Sequence, residues 1–471
     1  MIKPTLLLLS AGLVAGCTLA PHYERPQAPV AASYRADASG TARKAGELGW
    51  REFFTDPRLQ VLIAAALENN RDLRTAALRI DEARALYNIQ SADLLPNLNA
   101  QAAGASARLA ASQSPTGAAL VSRNYQVGLS LAAFELDFFG RVRSINDAAL
   151  AQYLATAEAR QAAQISLMTE TAKAYLAERA FEEQYTLAQQ TLAGREAGYR
   201  LATQRYEVGA TSALDLRLNE TLVGAARVAL ATLSRQRAQA GNALTLLVGK
   251  PMTDLPAAQA LGTQGIVTEL PAGLPSDLLA QRPDIRAAEQ RLLAANANIG
   301  AARAAFFPRI ALTAGVGTAS NTLSGLFDAG SRTWSFAPQL LLPIFDAGRN
   351  SSGLDLAQVR KNIAVADYEK SIQGAFREVA DALAARASLN EQLDAQNSVT
   401  RAQAERLRLA DLRFKNGVAN SLEVLDAQRE LFSAEQALVQ TRLLRLTNAI
   451  DLYRALGGGL QENTAQPGVR Q

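Results

Sequence analysis

Glu423 and Asp426 stand three residues apart, and on a helix that spacing puts both carboxylates on one face. Acids gathered this way attract cations or hold protons. Glu423 also follows Asn420 by three residues, and Asp215 follows Ser212 by three. Both pairs are spaced like a capping box, in which a side chain satisfies free amides at a helix start and the acid favours the positive end of the helix dipole. Asp215 and Glu423 therefore suit capping as well as a place in such an acid cluster. Asp426 differs, because its counterpart 208 positions earlier is Leu218, so the cap does not require an acid there. Catalytic chemistry is poorly supplied. The chain has one histidine, His22, and one cysteine, Cys17, so neither a pair of imidazoles nor an intramolecular disulfide is possible. There is no GxxxxGKS/T loop, no GxGxxG after a strand and no GxSxG elbow. An enzyme is not expected, nor is a cofactor or metal. The net charge is +4 over 471 residues, with no block of five like charges, which argues against nucleic-acid binding.

The acids follow a stretch that occurs twice. RYEVGATSALDL, residues 205 to 216, returns as RFKNGVANSLEV, residues 413 to 424. Other pieces repeat at nearly the same shift: NRDLRTAALRIDEARA (70 to 85) with RPDIRAAEQRLLAANA (282 to 297), and FGRVRS (139 to 144) with AGRNSS (347 to 352). Residues 141 to 204 and 349 to 412 contain no proline, and each would make a helix about 100 Å long at 1.5 Å per residue. Gly209 and Gly417 then mark the far ends, where helix reverses into helix. Gly140 and Gly348 precede arginine where strand passes into helix, and Arg282, Pro283 and Asp284 read as a helix start. Leu425, Phe432, Val439, Leu446 and Tyr453 repeat at intervals of seven, with Leu422, Leu443 and Ile450 beside them, a pattern that winds helices around one another.

Alternating residues predict two strands per half, at about 97–112 and 124–137 and at about 308–320 and 333–345. Pro338 counts against the last, since it gives no ladder hydrogen bond. The organisation expected is a signal peptide over 1–16, a lipidated segment over 17–55, a first repeat over 56–249, a linker over 250–275, a second repeat over 276–456 and a flexible tail over 457–471. Each repeat runs helix, two strands, long helix, helix. Four strands cannot close a barrel; two copies would give one filled by side chains, and three a barrel of about twelve strands with room for a channel. The fold class is thus mainly α with a membrane β-barrel.

Lys3, the apolar run from Leu6 to Val14 and the small residues before Cys17 make a targeting segment too short to span a membrane. LVAGC resembles the bacterial lipoprotein box, which implies cleavage before Cys17 and a covalent lipid on its thiol. Thr18 follows rather than the aspartate that favours inner-membrane retention, so the outer membrane of a Gram-negative bacterium is the expected location.

The blocks FTDPRLQVLIAAALENNRDL, FELDFFGRVRS, LLAQRPDIRAAEQRLLAANANIGAARAAFFPRIAL, LPIFDAGRN and YRALGGG resemble the TolC-like outer-membrane efflux family, in particular its lipoprotein branch serving resistance-nodulation-division (RND) pumps. The likeness runs from about Tyr23 to Gly459. It implies a homotrimer whose twelve-stranded barrel continues into an α-helical barrel. It also implies a periplasmic adaptor docking at the tips near Arg205, Gly209, Asp215, Arg413 and Gly417, and an inner-membrane RND pump. Three copies of Asp426, with Glu423 second, would then ring the periplasmic mouth. Like charges roughly 6 Å apart repel by about 0.7 kcal/mol in water and about 3 kcal/mol at an effective dielectric near 20. Phe414 and Ala419 lack the polar groups that tie closed tips elsewhere in the family. The alternatives are a type I protein-secretion channel and a lipid-anchored coiled-coil scaffold without a pore.

Overall fold

A computed structural model describes residues 18–31, 34, 45–114, 117–268, 270 and 275–464. Cys17, with the whole expected signal peptide, lies outside them. The described chain runs α1 (Trp50–Phe53), α2 (Pro57–Asn69), α3 (Arg71–Ala92), β1 (Leu98–Leu109), β2 (Leu120–Leu136), α4 (Arg141–Glu207) and α5 (Ala213–Val248). It continues with α6 (Pro275–Gln281), α7 (Pro283–Ala304), β3 (Arg309–Ser320), β4 (Arg332–Leu341), α8 (Arg349–Lys415) and α9 (Ser421–Ala455). Both long helices, α4 and α8, have 67 residues, about 100 Å each.

The chain divides into two compact units, and Arg79–Ala157 with Ala287–Glu369 makes up most of the first. Its sheet has the order β1-β2-β3-β4, antiparallel throughout, so the hairpins of the two repeats join at β2 and β3. One row across it reads Ala100, Leu129, Val316, Trp334, and the next reads Gln101, Gly128, Gly317, Thr333. Because neighbouring residues of a strand point to opposite faces, one face is apolar and the other polar or bare. The apolar face is uncovered in the single chain, Trp334 being 80% exposed. On the polar face Gly128 and Gly317 lie opposite each other, and a Cβ on Gly317 would come within 2.3 Å of the Val127 carbonyl oxygen. The register of β2 shifts between Leu131 and Phe134, where Ala133 has φ 49, a bulge that bends the strand.

Some expected boundaries move. β1 ends at Leu109, β2 begins four residues earlier than expected at Leu120, and β4 stops at Leu341, leaving Leu342 to Phe345 beyond the ladder. Pro338 does lie in β4, opposite Leu312, on an outer strand of the protomer sheet. At the end of the sheet Glu135 receives a paired hydrogen bond from Arg141 (2.8 and 2.7 Å) and another from Arg309 (2.7 Å), tying β2, α4 and β3 together. The N-terminal residues are strapped to α7. Arg25 donates twice to Glu289 (2.6 and 2.9 Å), Tyr23 once (3.0 Å), and Arg303 donates to the Leu19 carbonyl (3.1 Å).

The second unit comprises residues 28–78, 158–286 and 370–471. Its core gathers Phe53, Phe54, Leu59, Ile63, Tyr175 and Tyr453, all fully buried. Phe53 stacks on Tyr453 at 3.9 Å. Asp56 caps α2 by accepting from the Arg58 amide and also accepts the Tyr175 hydroxyl at 2.8 Å. Arg282 is buried at the start of α7, bound to Asp284, Glu378 and the Ala455 carbonyl. Contrary to the expected flexible tail, Gly457–Thr464 is held against α1: the Trp50 amide donates to the Gln461 carbonyl and the Gly49 amide to the Thr464 hydroxyl. The seven-residue stripe of α9 is buried at Val439, Leu446 and Tyr453, but towards the tip the buried residues are Val424, Ala427 and Ala434, while Leu422 is exposed. Phe432 there lies beneath the Arg195 guanidinium, 5.5 Å from its ring.

Candidate gate at the helix tips

The two reversals are built alike. After α4, Gly209 takes φ 69 and the Ala210 amide donates to the Arg205 carbonyl at 2.7 Å; after α8, Gly417 takes φ 71 and the Val418 amide donates to the Arg413 carbonyl at 2.9 Å. A positive φ at that point suits glycine. Ser212 then caps α5 by accepting from the Asp215 amide, and Asn420 caps α9 by accepting from the Glu423 amide, each at 3.1 Å. Both capping pairs read from the sequence are thus formed.

The carboxylates differ in their partners. Asp215 accepts the hydroxyls of Ser212 (2.8 Å), Thr211 (3.1 Å) and Ser421 (2.8 Å). Ser421 belongs to the other repeat, so Asp215 joins the two reversals. Hydrogen bonds from Ser212 and then Ser421 hold its carboxyl below the usual carboxylate range. Glu423 has a longer ion pair, to Arg413 at 3.6 Å. The Arg205 guanidinium lies 5.3 Å from the centre of the Phe414 ring, a cation–π tie between the repeats. Phe414, which offers no polar link, still contributes to holding the tips.

Asp426 is not the bare carboxylate that spacing suggested. Arg406 on α8 donates to it at 2.5 Å, Arg429 one turn along α9 also pairs with it, and Arg429 is shared with Glu430 at 3.3 Å. These two acids and two arginines compensate one another, so the repulsion expected from like charges alone is reduced. At the same register the first repeat carries Gly198, Leu218, Thr221 and Leu222, with no charge at all. Sequence reasoning found Asp426 and missed Arg406. The signal available was that an arginine, like the acid, replaces an uncharged residue of the first repeat. Ser421, which stands where the first repeat has Ala213, was missed in the same way.

The family model described as outer membrane efflux protein matches residues 62–250 and 274–458. The chain belongs to this family. It is 46% identical over 468 residues to the probable efflux pump outer membrane protein TtgC of Pseudomonas putida, covering 98% of this chain and 96% of that one. It is 48% identical over 461 residues to the outer membrane protein OprJ of Pseudomonas aeruginosa, covering 97% and 95%. Among solved structures, the open state of the MtrE outer membrane channel of Neisseria gonorrhoeae matches with a TM-score of 0.88 at 46% identity, over 96% of this chain and all of that one. As a member of the family, this chain is an outer-membrane efflux channel. Its two matched segments correspond to the two repeats, and the tip reversals at Gly209 and Gly417 fall one in each.

Proposed function

We propose that three copies of the chain form the exit duct of a tripartite system, fed by an inner-membrane RND pump through a periplasmic adaptor. The duct is passive and passes drugs or other small toxic compounds outward; the partner supplies the energy. The observation that carries this reading is the four-stranded sheet with one apolar face, one polar face and two unpaired edges. Unpaired edges and bare backbone groups are not tolerated in lipid. Three such sheets joined edge to edge make twelve strands, wide enough for a lumen, with Leu129, Val316 and Trp334 towards lipid and Gln101, Thr333 and the glycines towards water. Among the described residues no helix is long and apolar enough to cross a membrane.

A lipid on Cys17 anchors the start of the mature chain, and the strap of Tyr23 and Arg25 on Glu289 carries it away along α7. Replacing Cys17 with Ser should abolish incorporation of labelled palmitate; label that persists would contradict the anchor. At the tips, Asp426 is the main gate acid and Glu423 the second. The reversals at Gly209 and Gly417, with Arg205, Asp215 and Arg413, receive the adaptor. A photo-crosslinking residue at Val418, which is 68% exposed, should capture a periplasmic adaptor in intact cells, and an RND pump should co-purify. Capture of a type I secretion assembly instead would overturn the assignment to drug efflux.

A further inference from the structure

A cavity of about 390 Å³ lies among α4, α5, α8 and α9, below the tip reversals, within the range of roughly 300–1,000 Å³ usual for small-molecule sites. Its walls are apolar at Leu201, Ala202, Leu222, Val424 and Leu425. Arg195 also lines it, only 7% exposed. This guanidinium donates from Nη1 to the Leu222 carbonyl at 3.1 Å and lies over Phe432, yet its Nε is buried with no hydrogen-bond partner. Among the described residues no carboxylate pairs with it, and burial alone pulls its pKa below the ordinary value. A buried, uncompensated guanidinium is costly, and a planar carboxylate is the group its geometry matches. Two carboxylates share the cavity, but both are engaged elsewhere, Asp215 by three hydroxyls and Asp411 by Lys415 at 2.6 Å.

The duplication marks the site as an addition. At the positions 208 residues away, the other repeat has Gln403 where Arg195 stands and Gly224 where Phe432 stands.

We propose that this cavity binds a small organic carboxylate with an apolar body, its carboxylate accepting from the Arg195 guanidinium and its body resting on Leu201, Leu222 and Val424. All the residues belong to one chain, so the site does not depend on which pump the channel serves. The full chain in lipid nanodiscs is dialysed to equilibrium against 1-naphthoate and, separately, against neutral 1-naphthamide, with empty nanodiscs as the baseline. The expected result is one saturable naphthoate site per chain, with naphthamide weaker by roughly tenfold or more, since a charge-assisted pair is replaced by a neutral one. Arg195→Gln, which installs the residue of the second repeat, should weaken naphthoate by a similar factor. Gly198→Leu should abolish binding by filling the cavity while leaving the guanidinium in place; a Cβ there meets only Asn219 Oδ1, at an ordinary 3.5 Å. Arg217→Gln, at an exposed arginine paired with Glu220, should change nothing. No saturable binding, equal affinity for the two compounds, or full binding by Arg195→Gln or Gly198→Leu would overturn the proposal. Should Arg195→Gln fail to assemble, Gly198→Leu decides the question.

Discussion

Asp215 accepts three hydroxyls from both repeats, and its stabilising effect depends on its being ionised. Its folded pKa is depressed, so the stability it adds is present above the unfolded value near ~3.9 and is lost as pH falls through the lower folded value. The protection of amides in the first turn of α5, measured relative to their intrinsic exchange rate at each pH, should therefore fall below about pH 4, and Asp215→Asn should flatten that response. Ser212→Ala removes the cap itself, at a cost of about 1 kcal/mol. Exchange of the Asp215 amide should rise about fivefold at neutral pH; an unchanged rate would show that the cap does not control the turn. Asp426 leads to a paired prediction, because Arg406 and Arg429 both neutralise it. Asp426→Ala should weaken block by divalent cations applied from the periplasmic side, whereas Arg406→Ala, by freeing the carboxylate, should strengthen it. Shifts in the same direction, or none, would remove Asp426 from the gate.

The long helices, the glycine reversals and the strand pairs were legible because each is written twice in a periodic pattern and lacks proline where a helix must run. What was not legible are contacts between positions distant in the chain that no period records. Ser421 reaches Asp215 across 206 residues, Arg406 reaches Asp426 across a hairpin, and Gln461 accepts from the amide of Trp50. The tail from 457 is expected to be flexible, yet a Cβ on Gly459 would come within 2.2 Å of the Met168 side chain. The seven-residue stripe of α9 gave the right face near Tyr453 and lost it near Leu422, which is exposed. At the sheet, the close approach of β2 and β3 depends on the glycine pair. A side chain at Gly317 would also meet the Gly128 Cα at 2.7 Å. Gly317→Val should therefore split the two hairpins and prevent assembly, as judged by light scattering of the detergent extract, while Thr333→Val on the same face should assemble normally. Normal assembly of the glycine variant would contradict the register described here.

A single chain leaves too much unsatisfied to be the working unit. Among the described residues both outer strands have one unpaired edge, and Trp334, Phe336 and Leu340 are largely exposed on one face of the sheet. Native mass spectrometry of the detergent-extracted protein should find three chains together, and a stable monomer would contradict this. The same arrangement explains why the duplication matters: two hairpins per chain and three chains per assembly reach a barrel width that holds water, which one hairpin per chain would not. The central claim, that these chains enclose a passage, is tested most directly by single-channel recording of the purified protein in planar lipid bilayers. The account predicts discrete conductance steps, with block by divalent cations from the periplasmic side that Asp426→Ala relieves. Bilayers that stay silent, although the protein is inserted and trimeric, would show a scaffold without a pore and would contradict it.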